Sequence, residues 1–391
     1  MTIPEPVVKA TAALLPLSQL NYALGSPPLR AIMKQEFNDF CVDESIGFAL
    51  TGSGEHFCLR LRKTDLTTLD VAQRIATLTG TNMADIGYCG MKDKHAVCTQ
   101  WFSLPLEMAA EGRIASIEDD CLEILETDRN IRKIKIGSHK SNQFRIILRQ
   151  CAGKQSEFDA RLLAIKQQGA PNYFGAQRFG RQLSNITQLL ELIATIPGLL
   201  VDSSSPSRPK SKSELNLNLR PRPKPKLQRH KRSMLYSAGR AYLFNQLLCR
   251  RLQLGNWNRY IAGDVLNLNG TSRYFLLKDD NDWDQALQER LDGFDIHISG
   301  PLAGSQDLKD KYISSGEAAD IEYAVLQQFQ PLLDGLQYFG LKAARRPLRF
   351  MPTELEWRWL DASTLELRFG LGRGSYATSL LRELCGTDQV S

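Results

Sequence analysis

The chain has 391 residues, 42% hydrophobic and 24% charged, a balance that describes a globular protein and excludes a disordered tail or a fibre. That length exceeds what one ordinary core fills, so two domains are expected. The formal charge of +6 is concentrated: ten Lys and Arg lie between Gly198 and Arg232 against only Asp202 and Glu214, leaving the rest slightly acidic.

The first twenty residues lack a basic stretch followed by an apolar block, so they do not read as a signal peptide. No run approaches the roughly 18 apolar residues of a membrane helix. The cytoplasm is therefore expected. The eight cysteines are scattered without a CxxC pair, which argues against a zinc site or a disulfide scaffold and for reduced thiols used as small hydrophobes.

Taken in chain order, HFCLRLR (56–62) alternates Phe57, Leu59 and Leu61 against Cys58, Arg60 and Arg62, a half-buried strand. Thr67 to Thr79 has helical spacing, with Thr and Asp at its start and Gly80 at its end. NQFRIILR (142–149) alternates Phe144, Ile146 and Leu148 against Arg145 and Ile147, a second strand. SEFDARLLAIKQQG (156–169) predicts a helix with a Ser156/Asp159 capping box and Gly169 as its stop. Residues 202–232, rich in Pro, Ser, Lys and Arg, cannot bury enough apolar surface to order themselves and read as a mobile strip. A long helix weakened at Gly239 follows over 232–252, then strands at 354–360 and 364–371 and a short apolar helix at 376–384. The pattern is α+β, with a half-exposed, mainly antiparallel sheet.

Three clusters could carry chemistry. In IGYCGMKDKHAVCTQWFSL (86–104), Gly87 and Gly90 permit close backbone approach, and Asp93 is flanked by Lys92, Lys94 and His95. Flanking cations favour the ionised carboxylate that a nucleophile or base requires, although such a run also describes an ordinary surface turn. GAPNYFGAQRFGRQ (169–182) interleaves Tyr173, Phe174 and Phe179 with Arg178 and Arg181, which suits stacked bases and phosphates, or equally a turn with rings packed inward. GLGRGSYATSLLRELCG (370–386) joins a glycine-rich loop to a helix start, a place for a polar ligand or simply a strand-to-helix connection. Metal and triad signatures are missing: no HExxH, H-x-H or GxSxG occurs, and no P-loop or GxGxxG follows a strand. No cofactor and no metal are expected.

In this order, KQEFNDFCVDE (34–44), GYCGMKDKHAVCTQWFSL (87–104), SHKSNQFRIIL (138–148), PNYFGAQRFGR (171–181), HKRSMLYSAGRAYLFNQ (230–246) and FGLGRGSYATSLLREL (369–384) resemble the TruD family of tRNA pseudouridine synthases. The resemblance implies a catalytic domain of the pseudouridine synthase fold over 1–170 and 346–391, interrupted by an inserted TRUD domain over 171–345 that contains the basic strip at about 202–231. It implies Asp93 as the catalytic aspartate, Lys34 beside it, and Phe40, Asn142 and Tyr376 around the target uridine. Phe40 or Tyr376 would stack on the base, and Asn142 would hydrogen-bond its edge. Lys92, Arg178, Arg181 and Arg373 are expected to meet RNA. The implied partner is tRNA, modified at uridine-13 by a monomeric enzyme without cofactor; a protein of the same fold that binds tRNA without modifying it is the alternative. The usual LPxGS segment of the family reads LGRGS here, with Gly372 where Pro is common.

The basic strip is expected to hold tRNA phosphates without base specificity, because each neutralised phosphate releases counterions. Deleting residues 203–228 should weaken tRNA binding and flatten its salt dependence; an unchanged affinity and salt slope would make the strip a spacer.

Overall fold

The computed structural model describes residues 14–196, 199, 227–305 and 313–389, and the chain divides into two compact units. One comprises Leu24–Ala170 and Met351–Ser391; the segment Pro171–Phe350 interrupts it in sequence and, with the residues before Leu24, makes the other. The sequence reading kept those first residues with the interrupted unit. The basic strip falls largely outside the described residues.

The interrupted unit is built on one sheet. Its strands are β1 (Arg30–Met33), β2 (Phe40–Ile46), β3 (His56–Thr64), β4 (Gly87–Tyr88), β5 (Val97–Pro105), β6 (Leu122–Asn130), β7 (His139–Ala152), β8 (Thr353–Trp359), β9 (Leu365–Gly372) and β10 (Gly386–Gln389). The main path runs β8-β9-β7-β2-β5-β3-β6, with β1 joining β7 to β10 and β4 on β5. The β2–β5 and β1–β10 pairs are parallel and the remainder antiparallel, so the architecture is α+β.

Period-two alternation decides what each face carries. Register sets Phe40, Val42 and Glu44 of β2 opposite Ile146, Phe144 and Asn142 of β7. Those three in turn oppose Leu367, Phe369 and Leu371 of β9. Beyond β2, Val42 pairs with Cys98 of β5, which pairs with Lys63 of β3, while Gln100 pairs with Leu61. The face is therefore apolar except for a polar stripe of Lys63, Gln100, Glu44 and Asn142. Three of these four are buried, Asn142 being half-buried.

Helices cover the apolar part. α1 (Thr68–Thr79) starts on a Thr67/Asp70 capping box and ends at Gly80, whose φ of 74° suits glycine. It lays Val71 and Ile75 on Leu59, Leu61, Phe102 and Leu104. After a short turn of helix α2 (Glu111–Ala115), α3 (Gln155–Gln168) sets Phe158 edge-on to Trp359 at 5.5 Å. The capping box expected for α3 does not form: the N-cap is Lys154, without a side-chain cap. Asp159 instead accepts the indole N–H of Trp357 at 2.8 Å and of Trp359 at 3.2 Å. It lies more than a turn into the helix, too far along to reach the free amides of the first turn. A last helix, α4 (Ala377–Leu384), follows β9.

The opposite face of the sheet is charged, as the strand alternation predicts. There Glu366, 1% exposed, accepts from Arg145, Arg358 and Arg368. Burial raises its pKa, but the three guanidiniums outweigh that and hold it at about 2.

The other unit is more helical. Helices Ser184–Ala194, Arg229–Gln253 and Gln330–Tyr338 share a core of Ile186, Leu189, Ile193, Leu235, Tyr242 and Leu336. Gly239 does not interrupt the long helix. A Cβ there would come within 2.4 Å of Leu189, so the missing side chain lets the two helices approach. A small antiparallel sheet (residues 266–268, 274–275, 296–302 and 344–347) completes the unit. Its most buried ion pair joins Arg251 to Asp264 at 2.8 Å. No described helix is long and apolar enough to cross a membrane.

Candidate active site

The loop between β4 and β5 carries Asp93 and is tied down from three directions. Lys63, at the inner end of β3 and 1% exposed, donates from Nζ to the backbone carbonyls of Asp93 at 2.7 Å and Leu66 at 2.5 Å. Burial draws its ammonium below the ordinary lysine value, and the nearby Asp93 charge offsets part of that. The Lys92 amide donates to Thr68 Oγ1 at 2.9 Å, and Thr68 donates to Gln100 Oε1 at 3.0 Å. Gln100 then returns a bond from Nε2 to the Gly90 carbonyl at 2.5 Å. The loop backbone is thus held by side chains of the polar stripe and of α1.

The Asp93 carboxylate points away from these anchors. Its side chain is 50% exposed, and Oδ2 lies 2.6 Å from Lys34 Nζ. Lys34 itself is only 14% exposed. Its ammonium also sits 4.3 Å above the Phe40 ring, which is edge-on to Phe144 at 6.1 Å. Phe40 is 3% exposed, so it forms a floor under the cation rather than offering an open face to a base. Lys34 follows β1 with φ of 60°, a left-handed conformation that costs a lysine energy. The backbone is strained at the point where it delivers the cation to Asp93.

A second charged group lies on the stripe. Lys92 Nζ is 2.8 Å from Glu44 Oε2 and donates to Asn142 Oδ1 at 2.5 Å. Both charged side chains are nearly sealed, at 7% and 0% exposure. Burial, and next the Lys92 charge, push His139 below its ordinary value, so this ring stays neutral at pH 7.

Residues 17–193 and 224–384 match the family described as tRNA pseudouridine synthase D (TruD). The chain belongs to the TruD family. Among relatives bearing that name, the protein of Methylococcus capsulatus is 39% identical over 94% of each chain. That of Xanthomonas campestris is 40% identical over 93% of each. The crystal structure of a TruD protein from Methanosarcina mazei covers 98% of each chain with a TM-score of 0.67 at 23% identity, which establishes the shared fold. As a TruD protein the chain is an enzyme of the pseudouridine synthase class, an isomerase.

The structure brings Asp93, Lys34 and Phe40 together, and Lys92 with Asn142. Tyr376 is half-buried at the N-cap of α4, just past the glycine-rich loop. In that loop only Gly374, with φ of 88°, needs to be glycine for its conformation; a side chain at Gly372 would meet nothing within 4 Å. Arg373 is exposed and donates from Nη1 to the Gly137 carbonyl at 2.6 Å. Lys92 does not stand at the surface, where an RNA contact would need it. In the other TruD unit, Arg178 donates to Ser237 Oγ at 2.8 Å and Arg181 is exposed. The rings of that motif separate: Tyr173 and Phe179 are packed inward, whereas Phe174 lies under the Arg346 guanidinium at 4.0 Å. His95 Nδ1 lies 3.2 Å from Asp65 Oδ1 on the surface, and among the described residues no Ser or Cys is hydrogen-bonded to it. Among the described residues, no group of three His, Cys, Asp or Glu is placed to ligate a metal.

Sequence reading missed Glu44, Lys63, Thr68 and Gln100. A signal for two of them was present. Glu44 extends the inward alternation of Phe40 and Val42, and Lys63 extends that of Leu59 and Leu61. A charge in an apolar register is buried, and a buried charge has a partner.

Proposed function

We propose that this enzyme converts a uridine of tRNA, uridine-13 in the D arm, to pseudouridine, with Asp93 as the nucleophile. The observation that carries the reading is the Lys34–Asp93 pair: a half-exposed carboxylate held 2.6 Å from an ammonium, on a loop braced by buried side chains. Isomerisation breaks the C1′–N1 bond, turns the uracil and forms a C1′–C5 bond, with the C5 proton lost and one taken up at N1, so composition is unchanged and no redox partner enters. Asp93 acts by adding to C6, by attacking C1′, or as the base of a glycal route, and each route needs the ionised carboxylate that Lys34 holds.

The other residues take supporting roles. Lys34 orients the carboxylate, and Phe40 supports Lys34 from below. Tyr376 supplies the stacking face, Asn142 meets the uracil edge, and Arg373, Arg178 and Arg181 contact phosphates. The target base has to leave its stack to reach Asp93, so flipping is part of binding. A tRNA substrate supports a cytoplasmic enzyme.

The test is pseudouridine mapping on an unmodified tRNA transcript with no cofactor or metal added, using carbodiimide labelling and primer extension. One new stop at a D-arm uridine is the expected result. A stop elsewhere would reject the position, and none in any tRNA would reject the reading.

A further inference from the structure

Glu44, Lys92 and Asn142 form a chain in which the chemistry of each link dictates the next. Glu44 is fully buried on β2; its Oε1 accepts the Trp101 amide at 3.3 Å and its Oε2 faces Lys92 at 2.8 Å. A sealed ammonium is tolerated because that carboxylate neutralises it. Lys92 is fixed at its backbone by Thr68 and at its tip by Glu44. An ammonium has donors and no acceptor, so it can hold only the oxygen of the Asn142 amide, at 2.5 Å. The opposite amide orientation would set donor against donor. Asn142 is therefore locked with Oδ1 inward, and no described group accepts from its Nδ2.

We propose that the Glu44–Lys92 pair makes Asn142 a pure donor, and that Nδ2 reads the C4 carbonyl of uracil and refuses the C4 amino group of cytosine. The inference rests on the reading that a flipped uridine enters this site. The two bases differ in hydrogen-bond sense at N3 and at the C4 substituent, and a pure donor reads the latter: O4 of uracil accepts, whereas N4 of cytosine donates. A locked donor opposite a second donor leaves both unsatisfied once the base covers them, which is how a polar site rejects the wrong partner. A free amide would rotate by half a turn and accept cytosine. The two buried charges thus act as positioning residues for base selection, Glu44 from β2 and Lys92 from the loop that also carries Asp93.

The test compares affinities of two transcripts that differ by U or C at the position mapped by pseudouridine formation, on the full-length enzyme. Wild type is expected to prefer uridine by about tenfold or more. Asn142→Asp keeps a partner for Lys92 but offers only acceptors, so the preference should vanish or reverse. In the Glu44→Gln/Lys92→Met double variant, which leaves no orphaned charge in the core, the preference should shrink to about threefold or less. A purely structural role would weaken both RNAs together and leave their ratio at the wild-type value in both variants, and that result overturns the inference. If wild type forms pseudouridine while the ratio is unmoved, this inference alone fails; if wild type forms none, the parent reading falls and takes it along.

Discussion

Asp93→Asn is expected to abolish pseudouridine formation, by on the order of a thousandfold or more, while leaving the protein folded and able to bind tRNA. The argument for a clean loss is geometric. Asparagine is the same size, and its Oδ1 can still accept from Lys34, so the loop braced by Lys63, Thr68 and Gln100 has no reason to move. The side chain is 50% exposed, and exposed ion pairs contribute about 1 kcal/mol or less to stability. What disappears is the charged oxygen to which the proposed function assigns the chemistry. The check is primer-extension mapping of both proteins on one transcript, with tRNA affinity and thermal unfolding measured beside it. Full activity in Asp93→Asn would remove Asp93 from the chemistry, and lost activity together with lost binding would make the residue structural.

Much of the architecture around that aspartate could be read from alternation. The spacing of Phe144, Ile146 and Leu148 predicted β7, and the Thr67 and Gly80 signals predicted α1 with both its ends, because these depend on neighbours within one turn or one strand. The bracing of the loop was not readable. Lys63 and Asp93 are thirty residues apart, and Lys92 and Asn142 are fifty apart; only the order β9-β7-β2-β5-β3 brings them together. Local reasoning also misassigned Asp159, where a cap signature was read and two tryptophans of a distant strand take the carboxylate. Lys92 shows the same limit from the other side. Its neighbours Lys94 and His95 are exposed side chains, and nothing adjacent in sequence distinguishes it from them until Glu44 arrives from β2.

Lys34 allows the charge of a residue and the strain of its backbone to be separated by experiment. Lys34→Met should lower turnover about a hundredfold, the scale seen when one electrostatic group is removed from a preorganised site. Lys34→Arg should retain much of the rate, since a cation can still reach Asp93, although the planar fork will not reproduce the 2.6 Å contact above Phe40. Lys34→Gly gives the decisive comparison. At φ of 60° glycine has no penalty, so relief of strain should raise unfolding stability by about 1 kcal/mol even as the rate falls as far as in Lys34→Met. Chemical denaturation and single-turnover rates on the three variants decide the matter. A glycine variant that is both less stable and less active would mean that the lysine side chain holds the fold. A glycine variant that is more stable yet nearly inactive would show that the chain bears the strain at residue 34 to deliver a cation to Asp93.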